Sequence, residues 1–153
     1  MSLADLERRI QILEDIEAIK TLKSRYAQAL DGYLKQDIGQ LFTEDAVWDL
    51  GRRGSFKGRQ AIRDFFKKYP AILPFRIHYF VQSDIKVEGQ KAEGKWYMWL
   101  PASIADGRAV WSAGIEDDKY EKINTTWLVS EMKLTMIMRT PYEEGWHKTK
   151  YID

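Results

Sequence analysis

Apolar residues first recur along the chain at steps of three and four. Leu3, Leu6, Ile10, Leu13, Ile16, Ile19, Leu22, Tyr26 and Ala29 form one face of a long helix, with Glu7, Arg8, Arg9, Glu14, Asp15 and Lys20 falling mostly between them. Gly32 suits the left-handed backbone that closes a helix, so this helix is expected to stop near Leu30 or Asp31. Residues 35–42 predict a short second helix. Residues 46–50 and 55–57 predict a hairpin about the 51–54 turn. Residues 58–69 carry Ile62, Phe65, Phe66 and Tyr69 on one face and predict a third helix, ended by Pro70.

After Pro74 the period falls to two. Residues 76–88, 91–103, 108–123 and 126–138 predict four strands, broken at 88–90, 105–107 and 123–125. Three helices around a hairpin, followed by a four-strand meander, make an α+β fold with the helices on one face of a strongly curved antiparallel sheet. No repeat, linker or low-complexity segment interrupts the pattern, so residues 1–153 are read as a single domain.

Alternation along the strands assigns faces. Arg76, His78, Phe80 and Gln82 share one face, and Ile77, Tyr79 and Val81 the other; Trp96, Met98 and Leu100 oppose Tyr97 and Trp99. Both faces are apolar, yet one helical layer covers only one of them. The uncovered outer face is therefore expected to join copies of the chain as a homodimer or homotrimer.

Composition narrows the function. The net charge is +1 with both signs interspersed, which offers no field for nucleic acid or an anionic membrane. The absence of cysteine excludes disulfides and thiolate chemistry. No apolar run approaches the roughly 18 residues of a spanning helix, and the N-terminus lacks the apolar core of a signal peptide, so a soluble cytoplasmic protein is expected. Six Trp, eight Tyr and six Phe make the chain rich in aromatics, which bulky core packing accounts for on its own.

The candidate chemistry centres on two residues. Of the two histidines, His147 lies in a polar tail, whereas His78 sits inside an apolar strand and needs a polar partner. Asp31 ends the first helix, where the macrodipole makes a carboxylate unfavourable by roughly 0.3–1 kcal/mol unless a donor compensates it. An aspartate accepting from one imidazole nitrogen fixes the tautomer and leaves the other nitrogen as a base. Tyr26, just over one helical turn before Asp31, is positioned to offer its phenolic proton to a substrate oxygen. The bland reading of the same residues is an Asp-Gly helix end and a satisfied core histidine.

Trp48, Phe80, Trp96, Met98, Met132, Leu134, Met136 and Met138 are expected to point inward, as walls for a flat or bulky apolar ligand or simply as core. Arg108 is a candidate for a phenolate or anionic oxygen, and Arg76 for the pocket mouth. His147, Glu143 and Glu144 match no helical metal motif, and no metal site is assigned.

Ser24-Arg25-Tyr26-Ala27-Gln28-Ala29-Leu30-Asp31-Gly32 closing the first helix, the Ile77-His78-Tyr79 strand and Asp118-Lys119-Tyr120-Glu121-Lys122-Ile123 together resemble the SnoaL-like branch of the nuclear transport factor 2-like superfamily. The resemblance spans almost the whole chain. It implies a cone-shaped curved sheet with three N-terminal helices on its concave face, and a pocket between them that works without metal or organic cofactor. Asp31 and His78 match the Asp–His dyad of the family's dehydratases and dehydrochlorinase, and Tyr26 matches the tyrosine of the bile acid dehydratase. That enzyme's further aspartate and its last-strand arginine fall at Leu100 and near Met136 here, which argues against steroid dehydration and against two-aspartate isomerase chemistry. The resulting expectation is a cofactor-independent lyase that eliminates water from an aromatic or polycyclic apolar small molecule. His78 is its base, Asp31 the orienting residue and Tyr26 the assistant, with Trp48, Phe80, Trp96, Met98, Arg108 and Met136 binding substrate. Retro-aldol loss of formaldehyde, isomerisation and a non-catalytic ligand-binding or assembly module of the same fold are the alternatives.

Overall fold

The structure is a computed structural model describing residues 1–152. Ser2 caps helix α1 (Leu3–Asp31) through a reciprocal box with Asp5, and Gly32 closes it at φ 83°, as the sequence predicts. Only the second half of α1 is packed. Ile19, Leu22, Tyr26, Ala29 and Leu30 are buried, whereas Leu3, Leu6, Ile10 and Leu13 are exposed. Asp15 marks the change, accepting the Trp127 indole N–H at 2.8 Å and Lys122 Nζ at 2.7 Å.

The predicted second helix is reduced to a single 3-10 turn over Ile38–Leu41. Asp37 bonds the Gly39 N–H and so begins a turn, and a glycine inside a helix costs about 1 kcal/mol relative to alanine. Arg59 and Arg63 press on Gly39 so closely that a Cβ there would lie 2.5 Å from Arg63 Nε. Strand β1 (Phe42–Asp49) follows at once and turns through Gly51–Arg53 into β2 (Ser55–Lys57), giving the expected hairpin with Trp48 opposite Phe56. Helix α2 (Arg59–Ile72) passes through Pro70 instead of stopping there. In the final turn the missing N–H forfeits one bond, and Leu73 still donates to Tyr69.

The remaining strands are β3 (Phe75–Arg76), β4 (Tyr79–Glu88), β5 (Lys91–Ser103), β6 (Ala109–Ile123) and β7 (Thr126–Pro141), followed by a short helix α3 (Gly145–Lys148). The sheet order is β2-β1-β7-β6-β5-β3, with β4 also pairing β5; all pairs are antiparallel except β1 with β7. The predicted strand over 76–88 is interrupted at Ile77 and His78, so the histidine sits in a gap between β3 and β4.

Bulges bend the sheet into its cone and change which residues face inward. Gln82 adopts φ 53°, and beyond this irregularity Ile85 opposes the buried Gly94, so the inward parity of β4 is reversed. On β7 an irregularity at Ile137 places Met138 opposite Ala113 and Arg139 opposite Ser112. Met138 therefore leaves the inner face, where simple alternation had placed it, and Arg139 takes its position. Among the described residues no helix is long and apolar enough to cross a membrane.

Candidate active site

Asp31 and His78 meet where the C-terminus of α1 abuts the gap before β4. His78 Nδ1 lies 2.6 Å from Asp31 Oδ1, and the same carboxylate accepts the His78 backbone N–H at 3.0 and 3.2 Å. A carboxylate can only accept, so the imidazole proton is on Nδ1 and the lone pair is on Nε2. That lone pair accepts from the Tyr69 hydroxyl at 3.1 Å. Tyr69, Nε2, Nδ1 and Asp31 thus form one continuous relay of buried groups.

Burial pushes the His78 pKa below the usual histidine value, and the Asp31 hydrogen bond and charge only partly restore it. The imidazole is therefore neutral at pH 7 and already in its basic form. Burial raises the Tyr69 hydroxyl pKa strongly, opposed by the guanidinium groups of Arg53 and Arg76. Arg76 donates to the carbonyls of Leu30 and Leu73 and lies 5.2 Å from the Tyr69 ring centre, fastening the ends of both helices beside the relay.

A second buried cluster adjoins the first. Lys23 Nζ bridges Glu116 Oε2 at 2.5 Å and Asp118 Oδ2 at 2.7 Å. Tyr120 donates to Asp118 at 2.7 Å and accepts the Trp96 indole N–H at 3.0 Å. The ammonium also rests 4.3 Å from the centre of the Phe80 ring, which is stacked on His78. Burial, reinforced by the Asp118 charge, drives Glu116 up to about 7 despite Lys23. Lys23 itself is held above the usual lysine value, because its two carboxylates outweigh its burial. A cleft of about 450 Å³ between α1 and β4 reaches Lys23, Asp31, Tyr33, His78, Phe80 and Trp96.

The structure thus joins Asp31 to His78 and sets Phe80 against them. Tyr26 lies deeper, its ring 5.6 Å from Phe80 and edge-on to Phe42 and Trp48, and burial pushes its hydroxyl far up. Trp48, Trp96 and Met98 are buried in the core and Met136 is half-buried. Arg108 is exposed and bound to Asp106 at 2.8 Å in its own turn. Sequence reasoning missed Tyr69, Lys23, Glu116 and Asp118. The available signals were a lysine on the inward stripe of α1 and two carboxylates alternating with Ser112, Gly114 and Tyr120 on one face of β6. Among the described residues no group of three or more His, Cys, Asp or Glu side chains is gathered to hold a metal ion.

A bent sheet wrapped around a long helix is the cystatin-like fold also seen in an NTF2-like protein from Novosphingobium aromaticivorans. More narrowly, the SnoaL-like domain matches residues 11–133, and the chain belongs to that family. Among solved structures it is similar to a type 2 hexachlorocyclohexane dehydrochlorinase (LinA), at TM-score 0.81 and 21% identity over 90% of this chain and 92% of that one. It is also similar to a proposed aromatic ring hydroxylase from Novosphingobium aromaticivorans, at TM-score 0.76 and 29% identity over 84% and 94%. A proposed scytalone dehydratase from the same species gives TM-score 0.77 and 20% identity over 85% and 89%.

Proposed function

We propose that the protein is a small-molecule lyase whose acid–base centre is the relay Asp31–His78–Tyr69. The observation that carries this reading is the Asp31–His78 contact at 2.6 Å, which leaves a neutral, oriented imidazole with its Nε2 lone pair directed at a phenol. Neighbours described as a dehydrochlorinase and a dehydratase favour elimination, and the neighbour described as a ring hydroxylase favours an aromatic substrate.

Substrate enters between Nε2 and the Tyr69 hydroxyl. His78 Nε2 takes a proton from carbon, and the released electron pair forms the C=C bond as the adjacent C–O bond breaks. Tyr69 gives its proton to the departing hydroxyl, which leaves as water. The resulting imidazolium and phenolate stand where the resting hydrogen bond is seen, and proton return across it resets the site. A base so positioned supplies roughly 10²–10⁴-fold. In this reading Tyr69 takes the assisting role first given to Tyr26. Retro-aldol cleavage and double-bond isomerisation begin with the same abstraction.

The test is a panel of β-hydroxy aryl ketones, followed by the absorbance of the conjugated product. Turnover by wild type that falls by at least roughly 100-fold in His78→Gln and Asp31→Asn, with folding intact, supports the assignment. Turnover unaffected by His78→Gln sinks it. Binding of the same ketones without turnover supports the non-catalytic module instead.

A further inference from the structure

At the end of the cone nearest Tyr69, a second cleft of about 520 Å³ is lined by Arg53, Phe65, Ile72, Ile104, Arg108 and Arg139 together with Ala105 and Asp106. Its charges are unevenly satisfied. Arg108 is held by Asp106. Arg53, half-buried on the turn after β1, has no carboxylate partner among the described residues, and neither has Arg139. Arg139 is only 6% exposed, and its guanidinium Nε has no hydrogen-bond partner. Ser112, directly opposite Arg139 on β6, is 1% exposed, and its hydroxyl is likewise unpartnered. Buried donors are rarely left empty, because each then forfeits its hydration without replacement.

We propose that this cleft binds a carboxylate carried on an aromatic body, with the Arg139 guanidinium donating to the carboxylate and Arg53 supplying further positive charge. The proposal rests on the relay being the reaction centre, and it makes the substrate an aromatic acid. Guanidinium pairs well with a planar carboxylate, and its charge-assisted bonds are the strong ones. Phe65 and Ile72 supply an apolar wall from one face of α2, and Tyr69 lies between them on that same face, bonded to His78. A ligand anchored at Arg139 and laid along this wall therefore directs its ring towards the relay. Free inorganic phosphate would leave the apolar wall unused.

Isothermal titration calorimetry compares naphthalene-2-carboxylate with its neutral carboxamide. The expected result is an acid bound at least about tenfold more tightly than the amide by wild type, with the difference shrinking to within about twofold in Arg139→Met. Arg53→Gln, on an exposed turn, halves the preference or more and covers the case in which Arg139→Met does not fold. The preference persists in His78→Gln, because binding and proton abstraction use different groups. Equal affinity for acid and amide, no binding of either at millimolar concentration, or a preference untouched by both arginine variants overturns the proposal. Displacement by inorganic phosphate at the concentration at which naphthalene-2-carboxylate binds also overturns it, since the site would then be one for free oxyanions. A variant set in which His78→Gln remains active while the acid preference follows Arg139 refutes the relay alone.

Discussion

Replacing Lys23 by methionine removes the ammonium shared by Glu116 and Asp118 while keeping an unbranched side chain against Phe80 and Trp96. All three charged side chains are at most 2% exposed. Removing one partner of a buried ion pair typically costs 3–5 kcal/mol, because the other charge stays behind uncompensated. Two carboxylates remain here, so one of them must take up a proton to keep the cluster folded. In the wild type, Glu116 is already raised from 4.5 to about 7. A carboxyl raised in this way stabilises the fold below pH 4.5 and loses that contribution as pH climbs to about 7; at about 1.4 kcal/mol per unit, the loss is roughly 3 kcal/mol. In Lys23→Met the Glu116 carboxyl loses the cation that holds it down, so it is raised further and the slope steepens. Urea unfolding followed by tryptophan fluorescence should therefore give a destabilisation of about 3–5 kcal/mol at pH 8 that shrinks towards pH 5. Adding Glu116→Gln should recover a substantial part of it at pH 8. A loss below about 1 kcal/mol at pH 8, or one independent of pH, would refute the reasoning.

Further outcomes are expected. The two histidines make an NMR titration simple to assign: Asp31→Asn should lower the His78 pKa further, since the Asp31 hydrogen bond and charge are what support it; an unchanged value would dissolve the dyad. Because His78 binds protons more weakly in the folded state, it withdraws stability as pH falls below 6.5 through its folded value. Asp15→Ala strands the Trp127 indole N–H and should cost roughly 1–3 kcal/mol by chemical unfolding; since Lys122 and Trp127 hold Asp15 low against its burial, the wild type should lose more stability than the variant as pH drops below 3.8. On the outer sheet face, Trp99 and Trp111 stack at 5.3 Å beside exposed Tyr97, Val81 and Ile137, so a second copy of the chain is expected there. Sedimentation velocity should show wild-type oligomers and Trp99→Glu monomers; a monomeric wild type would remove that expectation.

The parts of this molecule that follow a regular period were legible in the sequence. The long helix, its Gly32 stop and the alternating strands needed only that rule, and Asp31 and His78 stood out because each was misplaced in its element. What escaped depended on departures from the period. A glycine and a turn-forming aspartate replaced the second helix by one 3-10 turn. One irregular residue at Gln82 and another at Ile137 exchanged the faces of everything beyond them, which hid Arg139 behind Met138. Tyr69 read as another aromatic on an apolar helix face, and its hydroxyl acquires meaning only when β4 brings His78 beside it. Lys23 was lost among the many charges of α1, since a lysine's burial is decided by strands far along the chain.

The parallel pairing of β1 with β7 has a consequence for how the chain comes off the ribosome. Trp48 lies opposite Met132, and Lys23 must wait for partners 93 and 95 residues later, just as Asp15 waits 112 residues for Trp127. Synthesis delivers the N-terminal half first, at about 5–20 residues per second, so α1 and β1 stand for several seconds without the strands that cover them. During that interval Lys23, Tyr26 and Trp48 are solvated, and the first hairpin presents an open edge. Contacts this distant slow folding, so the nascent helix and hairpin are natural clients for a chaperone, and a ribosome stalled before β6 would display neither the buried charges nor a closed cone.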